Sequence, residues 1–168
     1  MNNGELIVFE GLDAVGKTTQ IKKLKKFLES KGKIVKVVHQ PSSGLFGRDI
    51  KRLLIKRNSL INETSKWLLH CSAHFEQWKA LITPYLDKGY TVILDRWWWS
   101  AFAYSGANGV DTTKIEKLEL EAVTKQPAWI VFFENDKPLI MEDEVQDLKD
   151  TSYRFRVLKL YKKLISKY

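Results

Sequence analysis

Near the start of the chain stands Gly11-Leu12-Asp13-Ala14-Val15-Gly16-Lys17-Thr18, which fits the pattern G-x-x-x-x-G-K-[ST]. No other stretch constrains the fold as much, because this pattern works only between the end of a strand and the start of a helix. The sequence supplies both flanks. Leu6–Glu10 reads as an apolar strand, and Lys17–Lys31 as a helix with Ile21, Leu24, Phe27 and Leu28 on one face and Gly32 at its end. In such a loop Gly11 and Gly16 let the backbone turn and approach closely, and the N–H groups through Leu12, Asp13, Ala14 and Val15 point inward at a phosphate chain. Lys17 reaches the β- and γ-phosphates, Thr18 offers its hydroxyl to Mg²⁺, and Thr19 continues into the helix, whose positive end adds to the attraction. The stretch predicts binding of a nucleoside triphosphate with Mg²⁺.

The rest of the chain keeps the same alternation. Ile34–His39 is a second strand, Phe46–Arg57 a helix, Glu63–Asp87 a long helix ended by Gly89, and Val92–Leu94 a third strand. Thr112–Thr124, Ala128–Phe133 and Tyr153–Tyr168 read as helix, strand and helix. Short, continuously apolar strands separated by helices imply a parallel sheet covered on both faces. The expected fold is therefore a doubly wound α/β domain of the phosphate-loop type, with about four parallel strands, over residues 1–168. Ligands in such folds sit beyond the carboxyl ends of the strands, where both Gly11 and Asp95 fall.

With 168 residues, 44% hydrophobic and 29% charged, the composition is that of one globular domain. No apolar run reaches the roughly 20 residues a membrane helix needs, and MNNGELIVFEG has no basic leader region. Cys71 is the only cysteine, so no internal disulfide forms; a cytoplasmic location is expected. The net charge of +8 leaves two readings open, a nucleic-acid partner or a small phosphorylated substrate. Much of the excess lies on the outer face of the first helix, in IKKLKKFLESKGK, as a solvated lysine surface.

A second feature is DRWWWSAFAY, residues 95 to 104, at the end of the third strand. An acid on a strand beside a phosphate loop commonly holds the Mg²⁺ shell, which makes Asp95 a candidate metal residue with Thr18. Arg96 offers a planar fork to a phosphate. Ser100 and Tyr104, four apart, share one helical face. The turn QPSSGLFG brings Pro41 and Phe46, and on the following helix Lys51, as candidate walls of a substrate site.

Together these pieces resemble the thymidylate kinase family. Phe9-Glu10-Gly11-Leu12-Asp13 matches that family's F-E-G-x-D, Gln20 follows Lys17-Thr18-Thr19 as it should, and Pro41 and Gly47 match its P-x-x-x-x-x-G turn. Asp95, Arg96, Ser100, Ala103 and Tyr104 match D-R-x-x-x-S-x-x-A-Y, and the likeness runs from about residue 5 to 134. The resemblance implies transfer of the ATP γ-phosphoryl group to a deoxynucleoside monophosphate. It implies Lys17 on the donor phosphates, Arg96 between donor and acceptor, Asp13 near the acceptor sugar and Tyr104 against that sugar, and a homodimer through the long helices.

The sequence also departs from the family. Where the family has a phenylalanine stacking on thymine and an arginine four residues later, this chain has His70 and His74, and Ala101 follows the signature serine. Histidine lacks the guanidinium fork. The acceptor is thus dTMP, a modified pyrimidine nucleotide, or a deoxynucleoside; a weakly catalytic nucleotide-binding protein that contacts nucleic acid is a further alternative. No arginine lies in the phosphate loop or in the short lid expected around 134–150, where Lys137, Lys149 or Arg154 stand nearby. The family's fifth strand and final helix are not represented before the chain ends. A zinc site from His70, Cys71 and His74 lacks a fourth ligand.

Overall fold

The computed structural model describes residues 4–45, 47–134 and 151–168. Phe46 and the lid segment beyond Glu134, with Lys137 and Lys149, lie outside the described residues. The described chain alternates β1 (Glu5–Gly11), α1 (Lys17–Ser30), β2 (Val35–His39), α2 (Gly47–Arg57), α3 (Glu63–Gln77), α4 (Thr83–Asp87), β3 (Thr91–Asp95), α5 (Trp98–Ala107), α6 (Thr112–Ala122), β4 (Trp129–Phe133) and α7 (Thr151–Ile165). Each expected strand and helix is present, with ends moved by a few residues.

The four strands form one parallel sheet in the order β2-β3-β1-β4. Successive side chains of β1 alternate faces. Leu6 and Val8 join the larger core with Val92, Leu94, Trp97, Trp98 and Trp99, while Ile7 and Phe9 join a smaller one with Ile21 and Ile93. Helices therefore cover both faces, as continuous apolar strands require. The edge is the exception: Trp129 is 68% exposed on β4, because α1 lies over β1, β2 and β3 on that side.

Within the larger core, α5 packs against α7. Trp98 packs edge-on against Trp97, Trp99 and Phe102, and Tyr153, Val157, Tyr161 and Leu164 of α7 close over the cluster. A tryptophan buries roughly 150–250 Å², worth about 4–6 kcal/mol before entropy at ~25 cal/mol per Å². The run of three tryptophans thus locks the helix that follows Arg96.

The long helix expected over 63–87 is interrupted by a π-helical turn, Trp78–Ile82, between α3 and α4. Thr83 N–H donates to the Trp78 carbonyl five residues back. Pro84 has no N–H to continue the ordinary ladder, and the wider turn takes up the mismatch. Asn62 caps α3 by accepting from Ser65 N–H at 2.9 Å, and Asp111 caps α6 through Thr113 N–H at 2.9 Å. Among the described residues no helix is long and apolar enough to cross a membrane.

Candidate functional site

The register Phe9↔Asp95 and His39↔Asp95 brings the carboxyl ends of β1, β2 and β3 level, so their three following loops meet at one edge of the sheet. The loop after β1 starts at Gly11, with φ 133°. A Cβ there would lie 2.2 Å from the Phe133 carbonyl oxygen, so only glycine lets β4 pair this close to the loop. Ala14 and Gly16 also have positive φ, 57° and 90°. Among the described residues, no acceptor takes the N–H groups of Asp13, Ala14, Val15 or Gly16. This is a cradle of donors suited to phosphate oxygens. Leu12 is buried in the core and anchors the loop, while Thr18 and Thr19 are exposed on the first turn of α1.

Lys17 is 7% exposed, and its Nζ donates to the carbonyls of Gly11, at 3.2 Å, and Leu12. Burial, with the Arg96 charge nearby, pushes its ammonium down to about 8.

Arg96 has φ 72°, outside the region that residues with a Cβ normally occupy. Such strain persists only where surroundings over-determine it. Its N–H donates to the Phe9 carbonyl at 2.9 Å. Its guanidinium donates to the Gly11 carbonyl at 3.0 Å and Ser100 Oγ at 2.9 Å, and pairs with Asp13. It also lies 5.3 Å from the centre of the Tyr104 ring. Burial works against the charge, but Tyr104, Tyr161, Asp13 and Glu10 outweigh it and hold the guanidinium well above its ordinary range.

Behind Arg96 lies a residue that sequence reasoning did not single out as functional. Glu10 is fully buried. Its Oε1 accepts from Trp97 N–H at 2.8 Å and Ser100 N–H at 3.1 Å; its Oε2 accepts from Ser100 Oγ at 2.6 Å and Tyr161 Oη at 3.1 Å. The carboxylate caps the start of α5 and ties it to α7. Burial raises its pKa despite those donors.

Asp95 Oδ2 lies 3.0 Å from His39 Nδ1. Burial alone would raise the Asp95 pKa, but the His39 contact and the charges of Arg96 and Lys17 hold it below the ordinary value. Among the described residues, no group of three or more His, Cys, Asp or Glu side chains is arranged to hold a metal. A hard cation would instead take oxygen from Asp95, Thr18 and nucleotide phosphates, the donor set Mg²⁺ favours.

Next to Arg96 is a cavity of about 250 Å³ lined by Asp13, Gln40, Pro41, His70, His74, Arg96, Trp97, Ser100, Ala101, Tyr104 and Ser105. The cavity gathers the expected acceptor residues Pro41, His70, His74, Ser100 and Tyr104 beside Asp13 and Arg96. Tyr104 Oη donates to Asp13 Oδ2 at 3.3 Å, and burial raises its pKa. Burial and the neighbouring His74 push His70 down to about 4, which keeps its ring uncharged. Cys71 sits in the core, its thiol pushed up to about 12 by burial and Glu119. Lys51, expected as a substrate contact, is exposed on α2 and lines no part of this cavity. Ile50 faces inward, and the next residue is turned about 100° away.

Gln40 and Glu119 were also missed. Glu119 had a signal: it falls between Ile115 and Ala122 on the buried stripe of α6, where a carboxylate needs a reason. Gln77 donates to the carbonyls of Pro41, at 2.8 Å, and Ser43, and so fixes the Pro41 turn against α3.

The thymidylate kinase family model matches residues 9–163. Over 114 residues the chain is 39% identical to a thymidylate kinase of Desulfotalea psychrophila, covering 68% of this chain and 56% of that one. Over 160 residues it is 33% identical to one of Nitrosomonas eutropha, covering 94% of this chain and 73% of the relative. The first relative is thus spanned over little more than half its length. The crystal structure of thymidylate kinase from Ehrlichia chaffeensis aligns with a TM-score of 0.85 at 25% identity, over 98% of this chain and 88% of the other.

Proposed function

The chain belongs to the thymidylate kinase family, and from that premise we propose that it transfers the γ-phosphoryl group of ATP to a deoxynucleoside monophosphate. The observation that carries this reading is the Arg96 guanidinium, bonded to Gly11 of the phosphate loop and to Asp13 while lining the adjacent cavity. One cation thus borders both a donor cradle and an acceptor pocket.

Lys17 and the loop N–H groups hold the donor phosphates. Arg96 neutralises charge between donor and acceptor, and Asp13 takes the acceptor sugar. Tyr104 packs against that sugar and disfavours a 2′-hydroxyl. An acceptor phosphate oxygen attacks the γ-phosphorus as the bond to ADP breaks. The protein's share is positioning and electrostatics. Asp95 and Thr18 would hold Mg²⁺ through their oxygens, and the ion would supply charge neutralisation on the triphosphate. A homodimer is part of the same proposal, supported by Leu68 and Phe75 left exposed on α3; sedimentation would test it.

The test is ADP release from ATP and Mg²⁺ against deoxynucleoside monophosphates and thymidine, with Lys17→Ala as control. Turnover of a monophosphate that Lys17→Ala abolishes supports the reading. Near-normal turnover in that variant overturns it.

A further inference from the structure

Building on the kinase reading, we propose that the cavity selects a 4-aminopyrimidine nucleotide, dCMP or a 5-substituted relative, over 4-keto pyrimidines. His74 is the reading residue and Glu119 positions it.

His74 and Glu119 are 5% and 1% exposed, and His74 Nδ1 lies 2.8 Å from Glu119 Oε2. The other carboxylate oxygen accepts from Trp67 Nε1 at 3.3 Å. Imidazole is more basic than a carboxylate, so the shared proton sits on Nδ1. An uncharged histidine whose Nδ1–H is spent on a carboxylate presents Nε2 as a lone-pair acceptor, as in the serine-protease triad. The ring lines the cavity, and Nε2 has no partner among the described residues. A carbonyl oxygen facing Nε2 sets lone pair against lone pair, whereas an exocyclic amine donates to it.

One further buried group stands beside it. Gln40 is 8% exposed and lines the cavity, and neither polar atom of its amide has a partner. Buried polar atoms in native proteins are rarely left so. An acceptor and an amide that reads either way complement an amine and a ring nitrogen. The amide is reversible, so discrimination falls to His74.

The experiment is calorimetric binding of dCMP, dTMP and 5-hydroxymethyl-dUMP to the full chain at about pH 8, above an ordinary imidazole pKa. dCMP is expected to bind at least roughly 10-fold tighter than either keto nucleotide. Glu119→Gln should erase or reverse that ranking, because its amide N–H donates to Nδ1 and moves the ring proton to Nε2. His74→Arg, which supplies an obligate donor, should favour dTMP and carries the test if Glu119→Gln does not fold. Tighter binding of a keto nucleotide, an unchanged ranking in the folded variants, or no monophosphate binding overturns the proposal. The kinase reading is tested separately: selective dCMP binding without ADP release removes that reading and leaves the base assignment standing, while turnover of dTMP alone does the reverse.

Discussion

Replacing Glu10 by glutamine separates what holds the fold from what aims Arg96. The side chain is fully buried and accepts four hydrogen bonds. Glutamine is nearly isosteric. Its oxygen can keep the backbone N–H groups of Trp97 and Ser100, and its amide nitrogen then faces the hydroxyls of Ser100 and Tyr161, which rotate to accept. One of the two hydroxyl hydrogens then loses its acceptor, so at neutral pH the loss of stability should be about 1–3 kcal/mol. The sign of the pH dependence follows from the raised Glu10 pKa. The folded wild type binds its proton more readily than the unfolded chain, for which the ordinary value is 4.5. That advantage is complete below the unfolded value and lost as pH rises through the folded one. Wild type should therefore exceed Glu10→Gln in stability by more near about pH 4 than near about pH 8. Activity behaves differently. The new amide N–H competes for the Ser100 lone pairs that hold Arg96 at 2.9 Å, and the guanidinium loses a neighbouring charge. A charge-assisted hydrogen bond is worth about 1.5–3 kcal/mol. If that alignment is realised in the transition state, kcat falls roughly 10- to 100-fold. Thermal unfolding at the two pH values and a coupled ADP-release assay read both effects. Unchanged kcat, or a stability gap that widens as pH rises, would refute this account of Glu10.

Lys17→Ala should reduce turnover by roughly 10³-fold or more. Because the Lys17 ammonium sits at about 8, and phosphate raises it, ATP binding near pH 8 should take up a proton. Binding enthalpy would then depend on the buffer in wild type and not in Lys17→Ala. Gly11→Ala should destabilise by about 3 kcal/mol or more, since its Cβ meets the Phe133 oxygen and φ is 133°; the urea midpoint measures it. Asp95→Asn should raise the Mg²⁺ concentration needed for half-maximal rate roughly tenfold or more, with EDTA abolishing turnover in both proteins.

The parallel sheet was legible because each strand is a short apolar run followed by a helix, and the phosphate loop fixed where β1 ends. Asp13, Arg96, Ser100 and Tyr104 could be gathered through the resemblance to the family's motifs. The π turn could not, since Trp78 and Ile82 lie four apart and fit an ordinary helix. Nor could the hydrogen bonds of Glu10, whose partners are 87 to 151 residues away. The Arg96 backbone conformation follows from tertiary contacts, and a sequence window carries no trace of it. Glu119 looked like one charge among many on α6 until His74 was seen against it. Exposure of β4 depends on how far α1 reaches across the sheet, which strand hydrophobicity does not encode.

The most direct test of the central claim is steady-state ADP release from ATP and Mg²⁺ with dCMP, dTMP, 5-hydroxymethyl-dUMP, purine deoxynucleoside monophosphates and thymidine as acceptors. The account predicts rapid release with a pyrimidine deoxynucleoside monophosphate, none with thymidine, and none with any acceptor in Lys17→Ala. ATP binding without release across the whole panel, or release that does not depend on a monophosphate, would contradict it.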